Sequence, residues 1–233
     1  MNVVITGASG GIGKAVTERF LSLGHRVYGI DLLPASVTHP QYTHYVADVR
    51  DPAALPEIRD TAVLFLNAGT QNGEDDIETN LKGAINVTEK YIRDNTALRS
   101  VLFNASASAV SGQEFPVYTA SKAGLLGYMK NTAIRLAPRG VTCNAVSLGG
   151  VYTPLNGPVV NDPGSWARIM DVTPLKKWMT VGEVADWVVF LTLTNRSMSG
   201  QNLLIDNGEY DLRPTFVWEG DPLGSTPPDV PSR

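Results

Sequence analysis

The chain holds one cysteine, three histidines and no surplus of positive charge, and each scarcity removes a class of protein from consideration. With Cys143 alone, neither an internal disulfide nor a cysteine-built metal site can form, so its place in the apolar stretch 141–146 marks it as a packing residue. The 19 Lys and Arg stand against 23 Asp and Glu, a formal net charge of −4 that provides no electrostatic footprint for nucleic acid. No apolar run approaches the roughly 20 residues that span a bilayer. The opening Met1-Asn2-Val3-Val4-Ile5 enters a strand pattern with neither a basic leader nor a cleavage site, and the expected location is the cytoplasm.

What the sequence does contain is an alternation of two periods. Apolar runs at 3–5, 26–30, 44–49, 61–66, 100–104, 141–146 and 201–206 read as strands, most of them apolar enough to be buried on both faces. Between them lie helical spacings at 14–23, 77–92, about 118–136 and 182–191, whereas Pro52 and Pro56 leave room for little more than two helical turns in 50–60. Strands that alternate with helices predict an α/β fold: a single Rossmann-type, doubly wound parallel sheet of about seven strands with helices on both faces. The expected domain covers 1–208 and includes a proline-rich lid over about 154–180; an irregular C-terminal tail covers 209–233.

In such a sheet the ligand sits at the carboxyl ends of the strands, and the unusual residues collect there. After the first strand, Thr6-Gly7-Ala8-Ser9-Gly10-Gly11-Ile12-Gly13 leads into a helix whose unpaired N–H groups suit a pyrophosphate. The second strand ends at Asp31, where a carboxylate accepts bonds from a free ribose diol and repels a 2′-phosphate, so the expected cofactor is NAD. Asp48 ends the third strand, and Asn67-Ala68-Gly69 follows the fourth with residues small enough for close backbone approach. Tyr118 and Lys122 stand four apart on one helix face, an arrangement in which an ammonium favours the phenolate and makes it a proton acceptor for an alcohol.

Taken together, the glycine-rich turn, Asp31, Asp48-Val49, Asn67-Ala68-Gly69, Asn80, a serine ahead of the tyrosine and Tyr118-x-x-x-Lys122 resemble the classical short-chain dehydrogenase/reductase family from residue 3 to about residue 208. Gly7, Gly10 and Gly13 also match the glycine spacing of the family's extended branch, which includes epimerases and dehydratases. The resemblance implies an NAD-dependent oxidoreductase that interconverts a secondary alcohol and a ketone. Tyr118 becomes the general acid/base, with its pKa lowered together by Lys122, which holds the nicotinamide ribose, and by the nicotinium charge. A serine, Ser106 or alternatively Ser108, bonds the substrate oxygen, and Asn80 holds a relay water. The cofactor-binding set implied is Gly7, Ser9, Gly11, Ile12, Gly13, Asp31, Asp48, Val49, Asn67, Ala68, Gly69, Tyr118, Lys122, Gly149, Val151 and Thr153. A small-molecule substrate and a homodimer or homotetramer are further implications; no metal, nucleic acid or membrane is. The alternatives are a catalytically silent NAD-binding regulatory or scaffold protein of the same fold, or an epimerase or dehydratase of the family. Ser106 lies one residue closer to Tyr118 than the family's usual serine, Leu148 replaces a proline, and the step from Gly69 to Asn80 is only 11 positions. That last trimming removes the start of a helix on which the family commonly assembles. Trp166, Met170 and Trp178 in the lid suit either an apolar, ring-containing substrate or simple packing beneath a loop.

Overall fold

Val3, Val4 and Ile5 are all fully buried, yet they face two different cores. Val4 packs with Leu64, Val101 and Phe103, whereas Val3 and Ile5 pack with Val63, Phe65 and Leu102 on the opposite side. Successive strand residues point to opposite faces, so burial of every residue requires cover on both.

The computed structural model describes residues 1–71, 73–210 and 212. Its strands are β1 (Asn2–Thr6), β2 (Arg26–Asp31), β3 (Tyr42–Val46), β4 (Thr61–Leu66), β5 (Ser100–Asn104), β6 (Thr142–Leu148) and β7 (Asn202–Ile205). They form one parallel sheet in the order β3-β2-β1-β4-β5-β6-β7. The α-helices are α1 (Gly11–Ser22), α2 (Ala84–Ile92), α3 (Ser108–Ser111), α4 (Pro116–Leu136), α5 (Gly157–Val160), α6 (Pro163–Val172) and α7 (Val181–Val189). Phe20 of α1 and Val188 of α7 cover one face; Val87 of α2 and Leu125 and Met129 of α4 cover the other. Because β2 and β3 lie to one side of β1 and β4 to the other, a crevice opens between the carboxyl ends of β1 and β4.

The expected seven strands and the Rossmann-type architecture are present, with local differences. The segment 50–60 forms turns rather than a helix, and Leu55 is tucked into the core from it. β3 stops at Val46, so Asp48 and Val49 lie in the loop beyond it. The helix over 77–92 is present, but Ile77–Gly83 is wound as a π-helix. The lid contains α5 and α6, and a Val151–Met179 bridge pins its two ends together. Cys143 is buried and free, as its surroundings predict. Most of the expected tail, 213–233, lies outside the described residues. No helix among those described is long and apolar enough to cross a membrane.

The glycine-rich turn shows which of its glycines the packing demands. A Cβ at Gly13 would lie 1.9 Å from the Gly7 carbonyl oxygen and 2.8 Å from Asn67 Nδ2, whereas one at Gly10 would meet nothing within 4 Å. Gly13→Ala should therefore lower unfolding free energy by about 1–3 kcal/mol through overpacking, and Gly10→Ala by under about 0.5 kcal/mol. Urea unfolding of the two variants measures the difference, and equal losses would refute this account of the turn.

Candidate active site

Three strand ends are tied together beneath the crevice. Thr6 Oγ1 accepts the N–H groups of Asn67 and Ala68 at 2.9 and 3.0 Å. The Asn67 amide donates to the carbonyls of Thr6 and Gly7 at 3.1 and 3.2 Å, and its oxygen accepts from Asn104 Nδ2 at 2.9 Å. β1, β4 and β5 thus end in a single hydrogen-bonded knot.

Above this knot lies a cleft of about 560 Å³. It is lined by every residue expected to serve cofactor or catalysis except Ser9, Gly13, Asn80 and the alternative serine, Ser108. Ser9 contributes its backbone: its N–H donates to Asp31 Oδ2, and the Leu33 N–H donates to Asp31 Oδ1, both at 2.9 Å. These bonds hold the Asp31 carboxylate at the cleft wall with accepting capacity left on each oxygen. Asp48, also on the wall, is gripped by Arg50, whose guanidinium holds its carboxyl below the usual carboxylate range. Lys122 is the one cation among the described lining residues.

Pro116 opens α4, a favoured first helical position for proline, and Tyr118 and Lys122 follow one turn apart. Lys122 Nζ lies 5.8 Å from the Tyr118 ring centroid and donates to the Asn104 carbonyl at 2.9 Å. The lysine is 4% exposed, and burial pushes its ammonium down to about 8 while the Asp76 carboxylate pulls the other way. Burial pushes the Tyr118 phenol up to about 12; a hydrogen bond with Ser106 opposes this, and the Glu114 and Asp76 carboxylates add to it. The expected lowering of Tyr118 therefore does not arise from the protein's own groups. Desolvation of the phenolate is the largest effect, and the Lys122 ammonium is itself desolvated and turned to Asn104.

Of the two candidate serines, Ser106 lines the cleft, and the fully buried Ser108 supports it by donating from its hydroxyl at 3.0 Å. Asn80, the residue expected to hold a relay water, uses its side chain as a brace. It is buried in the π-helical turn, where Oδ1 accepts the Thr70 N–H at 2.7 Å and Nδ2 donates to the Thr70 carbonyl and to Ser121 Oγ at 2.9 and 3.0 Å. Both amide hydrogens are committed to bracing. Such π turns recur at functional sites because they redirect one side chain inside a helix.

Several cleft residues escaped the sequence reading. Asn104 carried a usable signal, a polar residue closing an apolar strand as Asn67 does. Glu114 adopts φ 75°, a conformation that its sequence neighbours do not announce. Glu209 and Tyr210, assigned to the tail, line the cleft because Asp206 ties down their turn, accepting the N–H groups of Gly208 and Tyr210 at 2.9 and 2.8 Å. Burial, reinforced by Asp206, pushes the Glu209 carboxyl up to about 7. Of the three lid residues singled out, only Trp178 lines the cleft. It lies across Gly150, where a Cβ would fall 1.9 Å from Cε2, and Trp166 packs edge-on against it at 5.2 Å.

The residues present fit a dinucleotide. No side chain caps the N-terminus of α1, its first turn carries no acid, and the open Gly10 leaves its N–H groups approachable.

Comparison with known proteins gives the family. The family model described as enoyl-(acyl carrier protein) reductase matches residues 61–209. A 2-(R)-hydroxypropyl-CoM dehydrogenase from Xanthobacter autotrophicus is 28% identical over 242 residues, which cover 89% of this chain and 97% of that protein. A 4-hydroxyisoleucine dehydrogenase solved with NADH superimposes with a TM-score of 0.83 at 20% identity, covering 91% of this chain and 99% of its own. A candidate 2-deoxy-D-gluconate 3-dehydrogenase from Agrobacterium tumefaciens, solved with NADP, gives 0.80 at 24% identity, covering 89% and 95%. The chain belongs to the short-chain dehydrogenase/reductase family and is an oxidoreductase of that family.

Proposed function

We propose that the protein is an NAD-dependent dehydrogenase/reductase that interconverts a neutral secondary alcohol and the corresponding ketone, with Tyr118 as general acid/base. The observation that carries this reading is the span of one cleft: Asp31 stands at one end, Ser106, Tyr118 and Lys122 at the other, and the open N-terminus of α1 lies between them. Gly7, Gly11, Ile12 and the strand-end residues Asn67, Ala68 and Gly69 would hold the dinucleotide, with Gly149, Val151 and Thr153 on the facing wall. When bound, the nicotinamide ring supplies or accepts the hydride.

The chain's own groups manage the proton. Ser106 orients the substrate oxygen beside the Tyr118 hydroxyl, and Lys122 holds the nicotinamide ribose. A phenol pushed up to about 12 is protonated at neutral pH, which suits donation to a ketone oxygen. Alcohol oxidation requires positive charge brought beside Tyr118. Tyr118→Phe should reduce turnover by about 10²–10⁴ while leaving NADH affinity within a few fold, since only the proton-transferring oxygen is lost. Steady-state rates with a fluorescence titration of NADH test this. Retention of a tenth or more of wild-type activity would remove Tyr118 from the role.

The related folds carry either nicotinamide cofactor, so the preference rests on the cleft wall. A 2′-phosphate would meet the Asp31 carboxylate and, among the described lining residues, no cation but the distant Lys122. The expected preference for NAD over NADP is at least about a hundredfold in kcat/KM. Leu32 lines the cleft and is exposed, so Asp31→Ser with Leu32→Arg should narrow or reverse the ratio. Equal efficiency of the wild type with both cofactors would show that Asp31 does not face the ribose.

The neutrality of the substrate follows from the Tyr118 end, where Glu114, Glu209 and the Tyr210 phenol line the cleft. A substrate carboxylate or phosphate would meet like charge there. A ketone should therefore exceed its carboxylate-bearing analogue by about tenfold or more in kcat/KM at pH 8, a difference of about 1.4 kcal/mol. Paired NADH-oxidation assays measure it, and a preference for the anion would overturn this part of the reading.

A further inference from the structure

Asp76 is fully buried, although the run Glu74-Asp75-Asp76 reads as solvated surface. It closes the shortened connection between Gly69 and Asn80. Its Oδ1 accepts from Thr70 Oγ1 at 2.7 Å and from the Gly73 N–H at 3.2 Å, while its Oδ2 is buried with no partner among the described residues. Thr70 is clamped in turn by both ends of the Asn80 amide. Asn80 donates to Ser121 Oγ at 3.0 Å, and that hydroxyl donates to the Tyr118 carbonyl at 2.6 Å. The path from Asp76 to the turn of α4 that carries Tyr118 is therefore unbroken.

A carboxylate removed from water needs a countercharge, because an isolated buried ion is strongly disfavoured. The buried charge nearest this segment is the Lys122 ammonium, 4% exposed, and its hydrogen-bond partner, the Asn104 carbonyl, is neutral. Lys122 Nζ sits beside Gly69, the residue before Thr70: a Cβ there would lie 3.4 Å from Nζ and 2.8 Å from Asn80 Oδ1. Both charges therefore border the same short segment. We propose that Asp76 is a positioning residue of this site: its buried carboxylate is the fixed countercharge of Lys122, and through Thr70 and Asn80 it braces the turn of α4 that carries Tyr118.

The surrounding groups support the assignment. The groups facing Lys122 are Asp76 and Tyr118, and Asp76 is the carboxylate that raises the lysine against its burial. Tyr118 is faced by Ser106, Asp76 and Glu114, so Glu114 provides a control that bears on the phenol rather than on the lysine. The proposal rests on Lys122 and Tyr118 forming the working pair, but its test does not require turnover.

The experiment is a pH titration of carbon-13-labelled lysine followed by NMR in the cofactor-free protein, with Lys122→Arg used to assign the signal. Asp76→Asn keeps the size and one acceptor of the side chain and removes its charge. The Lys122 midpoint should fall by about one unit, a tenfold loss of proton affinity. Glu114→Gln should leave it in place. The upper pH limit of NADH affinity should move down with the Lys122 midpoint in the Asp76→Asn protein. A midpoint within about 0.2 units of wild type, or one that rises, overturns the proposal. If Asp76→Asn does not fold, Asp76→Glu decides: a midpoint near wild type supports the countercharge, and a fall of about one unit overturns it. Because the titration needs no substrate, a shifted lysine in a protein without dehydrogenase activity would defeat the proposed function and leave this inference standing.

Discussion

The Asn67 amide is the constraint on which the site depends. By bonding the carbonyls of Thr6 and Gly7 and accepting from Asn104, it locks the ends of three central strands in one register. Everything the cleft uses is measured from that knot. The glycine turn hangs from Thr6, α1 packs onto the turn because Gly13 has no Cβ, and Asn104 presents its carbonyl to Lys122. Part-buried amide groups of this kind hold their neighbours in place because each unmade bond costs about 1–3 kcal/mol.

A second constraint is electrostatic. The cleft brings together Asp31, Asp48, Glu114 and Glu209 with Lys122 as the one cation among the described lining residues, and Asp76 stands buried behind them. Such a site resists releasing the Tyr118 proton and welcomes positive charge. That bias accords with a reaction in which an oxidised nicotinamide brings positive charge beside the phenol.

The sheet was legible because its signals are local. Seven apolar runs sit between glycine, proline and polar breaks, and central strands buried on both faces leave long uninterrupted patterns such as Thr61–Leu66. Asp31, Ser106, Tyr118 and Lys122 were legible for a related reason: each is marked by its distance along the chain from a strand end or a helix turn. The π-helical winding of Ile77–Gly83 was not, since its apolar spacing is compatible with an ordinary helix. Nor was the brace formed by Asn80, because an asparagine inside a helix pattern most often faces solvent. The sequence reading ended the domain at 208, yet Asp206 carries the chain two residues further into the cleft.

The sequence alone determined the alternation of strands and helices, the glycine turn, the acid closing β2 and the phenol and ammonium on one face of α4. These follow from covalent spacing and backbone periodicity, which act over a few residues. Only the tertiary structure decided that Asp76 is buried rather than solvated, that Glu114 and Glu209 face the cleft, and that Tyr118 is pushed up rather than down. Desolvation and Coulomb interactions depend on what packs around a group in space, and around Tyr118 those neighbours come from segments as far apart in the chain as Asp76, Ser106 and Glu114.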